Sequence, residues 1–459
     1  MMNRFLYLAA MLSYIAATLL PASDFPDTAV SVLCLLAVLT SLPAVRGPVL
    51  FFGLGFLAGG ILLLARSGIT PAAYVTSFGD MIQMVTLFAF IPILTFPVRF
   101  GDYAEQIRHL VRKRLRGTNS LYLLTSAAAY LFSSFMNLAA LPLTYDTIAR
   151  SAGDYPIGKK KRFLTRAITH GYAMPLVWSP LTPIVGTVLD LTGTEYAPVL
   201  PYLIGLSAAG LTLDWLTAGL ILRRAESGPV RNTRTEVAAA RALRDRPYRL
   251  IHIPVALIIL NGLIILLDQW LKQSFLFLVT LLVLPFSGIW CLLIRRGALF
   301  FPAVRHHFNT WLPKMVHPFF IFLSAGFFIT TLHVSGADAT LTEWVAIVIR
   351  RTDLRVFLVV LPLIPFALAF LGLHPAVSLA LIAGSVHSGS FFHTPVVITV
   401  AMLGSAVPAF LMGPYNATLS MMSGIVDEKP FTLSKWNFSF TWRYLVMLTV
   451  MIQLLYTLL

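Results

Sequence analysis

Prolines and small polar residues interrupt two strongly apolar stretches of the sequence. Residues 174–187 read MPLVWSPLTPIVGT, and residues 410–424 read FLMGPYNATLSMMSG. Proline in a helix interior removes a backbone donor and costs about 3 kcal/mol, so both stretches are predicted to be helices broken in the middle. A broken helix exposes N–H groups at one new end and carbonyl oxygens at the other. The first end suits an anion, and the second suits a desolvated cation such as Na⁺.

Two further polar interruptions, SSFMN at 133–137 and GLHPAVS at 372–378, supply more candidate ligands. For a lone Ser-Pro element, a simple kink explains the sequence equally well. Two broken stretches at equivalent places in the chain favour a binding site. The predicted substrate ligands are Ser134, Asn137, Thr182, His374, Ser378, Asn416 and Thr418. The residues predicted to couple an ion are Ser133, Asn137, Ser179, Pro180, Gly413 and Asn416.

A proton relay is a second possible chemistry, because histidine titrates near neutral pH and charged residues inside a membrane are often functional. The predicted relay residues are His374, His387 and Asp146, with His170 and His393 as weaker candidates. The alternative for each histidine is a neutral ring bonded to a neighbouring helix. For Asp146, an ion pair with Arg150 one turn later is favoured over a relay.

The elements that position these residues are membrane helices. Of the 459 residues, 58% are hydrophobic and 12% charged, about half the charge of an average soluble protein. The net charge of +15 comes from basic loops at 99–116, 150–166, 223–249 and 295–314. Basic loops between spans mark the cytoplasmic side, so this charge indicates topology rather than nucleic-acid binding. Cys34 and Cys291 stand alone in apolar runs and are predicted to be packing residues.

The stretch 119–150 begins and ends beside basic loops, and its roughly 32 residues are too few for two full spans of about 20 residues each. It is therefore predicted to be a re-entrant hairpin, and 354–395 a second one opening from the outside. About eleven transmembrane helices complete this all-α polytopic fold. The predicted spans are 5–20, 28–45, 48–66, 79–98, 167–190, 196–222, 250–268, 274–294, 315–333, 396–426 and 438–457.

The order of these elements predicts an inverted-topology repeat. Residues 1–222 form the first repeat with an extra first helix, residues 223–249 form a basic cytoplasmic linker, and residues 250–459 form the second repeat. The N-terminus is predicted in the cytoplasm and the C-terminus outside, in the cytoplasmic membrane of a prokaryote. Secondary transporters are commonly built this way, with the site at the repeat interface.

Three motifs resemble the ion transporter superfamily. SSFMNLAALPLTYDT at 133–147 is similar to its first hairpin tip and following arm, with Ser134, Asn137 and Pro142 in matching places. AVSLALIAG at 376–384 resembles the arm of the second tip. FLMGPYNATLSMMSG resembles the block around the second break, through Pro414, Asn416, Ala417, Ser423 and Gly424. Divalent anion/sodium symporters, citrate and gluconate permeases and arsenite permeases belong to this group. The resemblance implies a homodimer whose scaffold carries an elevator-like transport domain.

The sequence therefore predicts a secondary active transporter that moves a small, carboxylate-like anion with Na⁺ or H⁺. A passive channel, a flippase for a lipid-linked substrate and a cation/proton antiporter remain the alternatives. No phosphate loop, metal-ligand spacing or catalytic triad context is present, so no enzyme activity is expected. The expected partners are the anion, Na⁺ or H⁺ and membrane lipid, with no nucleic acid and no cofactor other than a bound Na⁺.

Overall fold

The computed structural model describes residues 2–20, 25–103, 105–107, 117–225, 250–386 and 394–459. Within these residues the chain forms helices and turns without a strand, which confirms the predicted all-α class. The helices of the first part are α1 Met2–Leu19, α2 Phe25–Ser41, α3 Pro48–Ser67, α4 Ala73–Thr76, α5 Ile82–Phe90, α6 Thr95–Phe100, α7 Thr118–Met136, α8 Ala140–Ile148, α9 Lys160–Ala173, α10 Pro183–Thr192 and α11 Tyr196–Ala225. The helices of the second part are α12 His252–Leu271, α13 Phe275–Leu293, α14 Gly297–Thr310, α15 Val316–Val334, α16 Ala337–Thr352, α17 Leu354–Val360, α18 Leu363–Leu371, α19 Pro375–Val386, α20 Pro395–Met412, α21 Ala417–Val426 and α22 Pro430–Leu458.

Eleven helical segments of the described chain are long and apolar enough to cross a membrane, the number predicted. Their membership differs from the prediction at four places, one of which is the predicted span 5–20, whose helix α1 is not among the eleven. The hairpin stretches Thr118–Ile148 and Leu354–Leu371 are among the eleven, whereas 167–190 is not one helix. It consists of α9 and α10 with a 3₁₀ turn, Met174–Val177, and a non-helical segment between them. Pro175, Pro180 and Pro183 interrupt the backbone hydrogen bonds there, as the sequence predicts.

The first predicted hairpin tip is a backbone break. Helix α7 ends at Met136, and Asn137 has φ +46° and ψ −129° before the chain enters a short 3₁₀ turn and α8. Asparagine is one of the few residues other than glycine that often adopts a positive φ. Whether the pair α7–α8 is re-entrant, and whether the two halves form an inverted repeat, stays a prediction.

The broken helices form the interior of the molecule. In Pro395–Val426, 94% of the residues of the most apolar window are buried by the protein itself, against 17% for Pro48–Ser67. Helix α20 is therefore surrounded by protein, and α3 presents most of its surface outward to lipid. Helix α9 packs against α7, α8, α11, α20, α21 and α22. Irregular backbone is tolerated at membrane depth in such an enclosed position.

Two elements depart from the sequence expectation. The basic loop 295–314 contains the 14-residue helix α14, whose apolar residues were too interrupted to suggest a span. The last helix starts at Pro430 rather than at 438, because proline at the first helical position is favourable. Residues 226–249 of the predicted linker lie outside the described residues.

Candidate functional site

The first hairpin tip contacts the first broken helix through serine side chains. The Ser179 hydroxyl donates to the Ser134 carbonyl at 2.8 Å, and the Leu181 N–H donates to the Ser179 oxygen at 3.3 Å. The Ser133 and Ser134 hydroxyls both donate back to the Tyr130 carbonyl. The structure therefore brings together three predicted ligands, all of them buried. Each of their hydroxyl groups donates its hydrogen bond to a backbone carbonyl of the protein.

Asn137 lies beside the same break and also faces the second one. Its Oδ1 accepts a hydrogen bond from the Tyr172 hydroxyl at 3.1 Å. The 3₁₀ turn that contains Asn137 packs against α21, the helix that starts with the second break. Thr418 near the start of α21 is buried, and its Oγ1 has no hydrogen-bond partner within the described chain. One half-buried amide and one unpaired buried hydroxyl thus lie where the tip meets the second broken helix.

Asn416 joins the two halves of the second broken helix. Its Oδ1 accepts from the Leu419 N–H at 2.8 Å, which caps the start of α21. Its Nδ2 donates to the carbonyls of Ala409 and Phe410, both at 2.9 Å, at the end of α20. This side chain therefore satisfies orphan backbone groups of both helix ends at once. Its three hydrogen bonds are internal to the protein.

The carbonyl ends of the two breaks differ. At the end of α20, the Leu411 carbonyl accepts from Asn437 Nδ2 and the Met412 carbonyl from the Ser434 hydroxyl, so side chains bond all of the last four carbonyls. In the first break, the buried carbonyls of Leu176 and Val177 accept no hydrogen bond from any described residue. The expectation of free carbonyls is thus met at the first break and not at the second, where amide and hydroxyl donors occupy them.

Thr182 is buried at the start of α10. Its backbone is extended, and its side chain caps no N–H of α10. Pro180 and Pro183 supply no donors, and the Val185 N–H bonds the Thr182 carbonyl at 2.9 Å, so the first turn of α10 offers few unsatisfied N–H groups. Ser179 and Thr182 both lie within residues 178–182, the non-helical segment of the first break.

His374 packs near the second break. Its ring makes edge contacts with Phe88, Phe322 and Phe410, and its Nδ1 accepts from the Ala376 N–H at 3.2 Å. A nitrogen that accepts this bond carries no proton, so the ring is neutral in this geometry. The Ser378 hydroxyl donates to the His374 carbonyl at 3.4 Å and is turned toward its own helix.

The remaining relay candidates do not join this group. Asp146 is exposed on α8, away from the buried tip. His387 and His393 lie outside the described residues. Every predicted ligand at the tip and breaks is uncharged, so the buried site is built from hydroxyls, amides and helix ends.

A buried polar cluster that the sequence reasoning undervalued lies one helix away. His170 Nδ1 is 2.7 Å from Asp214 Oδ1, and the Tyr122 hydroxyl donates to the same oxygen at 3.0 Å. His170 and Asp214 are completely buried. Asp214 is the one acidic residue of the apolar stretch 196–222, which is the signal that could have identified it. Its partners are distant in sequence and only the fold brings them together.

Comparison with known proteins supports a transporter fold. The sequence matches no protein-family model and no curated protein. Its structure is similar to the crystal structure of the Alcanivorax borkumensis YdaH transporter, which is described as having an unusual topology. The TM-score is 0.61 at 15% identity, and the alignment covers 88% of this chain and 98% of that one. The chain therefore shares the polytopic helical fold of that transporter.

Proposed function

We propose that the protein is a secondary active transporter for a small carboxylate-like anion, driven by Na⁺ or H⁺. The observation that carries this proposal is the convergence of two broken helices on an uncharged, buried group of hydroxyls and amides. Ser179 meets Ser134 at one break, and the Asn137 turn meets α21 at the other. Broken helices at the centre of a membrane protein commonly hold substrate and coupling ions in secondary transporters.

An anionic substrate suits the donors of this site. The start of α10 and the Thr418 hydroxyl offer donors at helix N-termini, which favour negative charge, and the Tyr172 hydroxyl near the end of α9 is a further donor. No described acidic side chain lies among them to repel a carboxylate. A cation would instead find ligands at the unpaired carbonyls of Leu176 and Val177. In this proposal the anion binds at the start of α10, and the cation binds at the carbonyls that precede the non-helical segment of the first break.

An elevator movement and a homodimer complete the proposal. The tip, the breaks and α19 pack on one another around α20, so they can move as one body. The alternative, a passive channel, requires neither a domain that moves as a unit nor an ion gradient to drive transport. A cation/proton antiporter is the second candidate, since Asp214 is a fully buried carboxylate of the kind that exchangers require.

Ligand-induced stabilisation of the purified protein tests the function. We would measure the melting temperature with a panel of small carboxylates and other anions, with and without Na⁺, at two pH values. A ligand at 100 times its Kd stabilises the folded state by about 2.7 kcal/mol. Stabilisation by one anion, enhanced by Na⁺ or by low pH, is the expected result. No response to any anion under any condition would overturn the carboxylate proposal.

The variants S179A and S67A provide a matched pair for this measurement. Ser179 bonds the tip to the break, whereas the Ser67 hydroxyl bonds only the carbonyl of Leu63 at an exposed helix end. We expect S179A to weaken the anion response at least about tenfold in apparent Kd, equivalent to about 1.4 kcal/mol. S67A should respond as the wild type does, and an equal loss in both would show that the effect is unspecific.

A further inference from the structure

A buried group of titratable side chains lies between α7, α9, α11 and α22, separate from the proposed substrate site. His170 and Arg166 are one turn apart on α9 and therefore share a face. Asp214 comes from α11 and Tyr122 from α7, and both bond within this cluster. The His170 ring also stacks on Phe440 of α22, with the ring centroids 4.2 Å apart.

Several polar atoms in this cluster are buried without a partner. They are His170 Nε2, Asp214 Oδ2 and two guanidinium nitrogens of Arg166, none of which has a hydrogen-bond partner among the described residues. Buried polar groups in native proteins are nearly always satisfied, so a concentration of unsatisfied ones calls for a reason. Reversible binding of a proton by one of these groups is one such reason.

The geometry fixes where a further proton would bind. Two lone pairs cannot face each other at 2.7 Å, so one proton already lies between His170 Nδ1 and Asp214 Oδ1. Tyr122 supplies a second proton to that oxygen. Of the two ring nitrogens, Nε2 then carries the free lone pair. We propose that the His170–Asp214 pair is a proton-binding site that couples transport to the proton gradient, a step that rests on the proposed function.

Proton uptake at Nε2 changes the charge of the pair from −1 to 0. The Asp214 carboxylate and the face of Phe440 favour the positive imidazolium. Burial of the ring away from water opposes the charged form most strongly, Arg166 on α9 opposes it further, and Arg443 on α22 interacts with Asp214 and Tyr122 of the same cluster. Helices α20 and α21 carry no titratable residue, and Asp146 of α8 is exposed. The uncharged Asn437 amide lies beside the imidazole and favours its protonated form, since its oxygen can accept from the ring once the proton is bound.

Helix α9 links this pair to the substrate site. His170 contacts α11 from one side of α9, while Tyr172, two residues later, donates to Asn137 of the hairpin tip. Two residues further on, the chain enters the 3₁₀ turn of the first break. A change in the His170–Asp214 bond therefore shifts a helix that ends in the proposed binding site, so that proton and substrate occupancy are coupled.

The decisive measurement is the titration of His170 by NMR of the full-length protein with ¹⁵N-labelled histidine rings, with H⁺ itself as the probe. The signal is assigned by its loss in H170Q. We expect it to titrate between about pH 4 and 9, within reach of an ordinary histidine. D214N removes the favourable charge and should lower the midpoint, whereas R166Q removes the opposing charge and should raise it.

Opposite shifts in these two variants separate a charge effect from general loosening of the structure, which would move both midpoints toward the free value. The exposed controls D27N and R305Q should leave the midpoint of His170 unchanged. The proposal is overturned if the wild-type signal does not titrate in this range, or if D214N and R166Q move it in the same direction. If D214N does not fold, R166Q still gives a signed test.

Transport separates this proposal from the proposed function. With the anion identified by the stability panel, uptake into proteoliposomes is measured under a pH gradient alone and under a Na⁺ gradient alone. We expect the pH gradient to drive uptake in the wild type and in D27N, with at least a tenfold loss in D214N. Uptake that depends only on Na⁺ and is unaffected in D214N would refute the proton site while the transporter function stands. A panel without any active anion would refute the function, while the NMR titration would still decide the site.

Discussion

Asn416 is the residue on which the second broken helix depends most directly. A single amide group caps the N-terminus of α21 and bonds two carbonyls at the C-terminus of α20. Proline, glycine and tyrosine between the helices interrupt the backbone bonds that would otherwise join them. The break therefore persists as an ordered structure because one side chain replaces several main-chain hydrogen bonds.

Replacing Asn416 should destabilise the protein more than an ordinary polar substitution does. N416A loses the helix cap and the amide donor of two carbonyls, of which Ala409 keeps its bond from the Gly413 N–H and Phe410 is left without a donor. Loss of a cap costs about 1 kcal/mol, and each unsatisfied buried group costs about 1–3 kcal/mol. We expect a drop in unfolding free energy of at least about 2 kcal/mol, measured as a fall in melting temperature in detergent. N309A, at an exposed asparagine of α14, is the control and should change little.

At the residue scale, sequence reasoning located the tip and break residues but not their bonding. SSFMN and MGPYN mark the two interruptions because Asn and Pro break an apolar pattern locally. The bond between Ser179 and Ser134 spans 45 positions, and that between His170 and Asp214 spans 44. Such pairings follow from helix packing, which a single sequence does not specify.

Helices α7 and α9 approach each other closely at Gly171. A Cβ atom added there would overlap the Ser126 carbonyl of α7. Small residues permit such close backbone approach between membrane helices. This contact holds the part of α9 that carries His170 and Tyr172 against α7.

The substitution G171A should therefore push α7 and α9 apart. A backbone carbonyl cannot rotate away as a side chain can, so the strain spreads to both helices, and overpacking of this kind typically costs about 1–3 kcal/mol. We expect a lower melting temperature and a weaker response in the anion panel. The control G205A is made in α11, where an added Cβ meets no atom within 4 Å. An unchanged G171A protein would mean that the helices have room to adjust.

The hairpin prediction can be tested by finding on which side of the membrane each end of the α7–α8 pair lies. Both ends of a re-entrant α7–α8 pair face the cytoplasm, whereas a single crossing by Thr118–Ile148 places them on opposite sides. In a C34A/C291A background, we expect G117C and G153C to react with a membrane-impermeant maleimide only after permeabilisation of the cell. Reaction of one of the two in intact cells would show that the stretch crosses the membrane.

At the element scale, the sequence predicted the breaks and most helix bounds within a few residues. Apolar length and proline position determine where a membrane helix starts and stops. The sequence-based prediction treated 167–190 as one broken span. The spacing of apolar residues does not show that α9 is a separate, more polar helix that is buried in protein. Helix α14 was missed because Pro302 lies inside it and the basic residues Arg305, His306 and His307 follow one another in its second half.

The whole molecule places its polar breaks inside and its continuous apolar helices outside. Helices such as α3 expose long side chains outward, whereas α20 is enclosed along almost its whole length. A membrane protein needs this division because only protein or water can satisfy irregular backbone. The similarity in fold to a transporter over 88% of the chain fits this organisation.

Orientation in the membrane is a prediction at this scale. The basic linker is expected in the cytoplasm, and the connection after α10 outside. In the cysteine-free background, S227C should react with the impermeant maleimide only after permeabilisation, whereas E195C should react in intact cells. The reverse pattern would invert the topology and exchange the sides to which the two hairpins open.

The internal hydrogen bonds of the site have a thermodynamic consequence for ligand binding. Asn137, Ser179 and Asn416 already bond to protein groups in this conformation. A substrate that engages them exchanges one set of bonds for another, so little heat is released for each contact made. Calorimetry should accordingly record a small binding enthalpy beside a clear rise in melting temperature. Affinity in such a site depends on how closely the incoming group reproduces the bonds that it displaces.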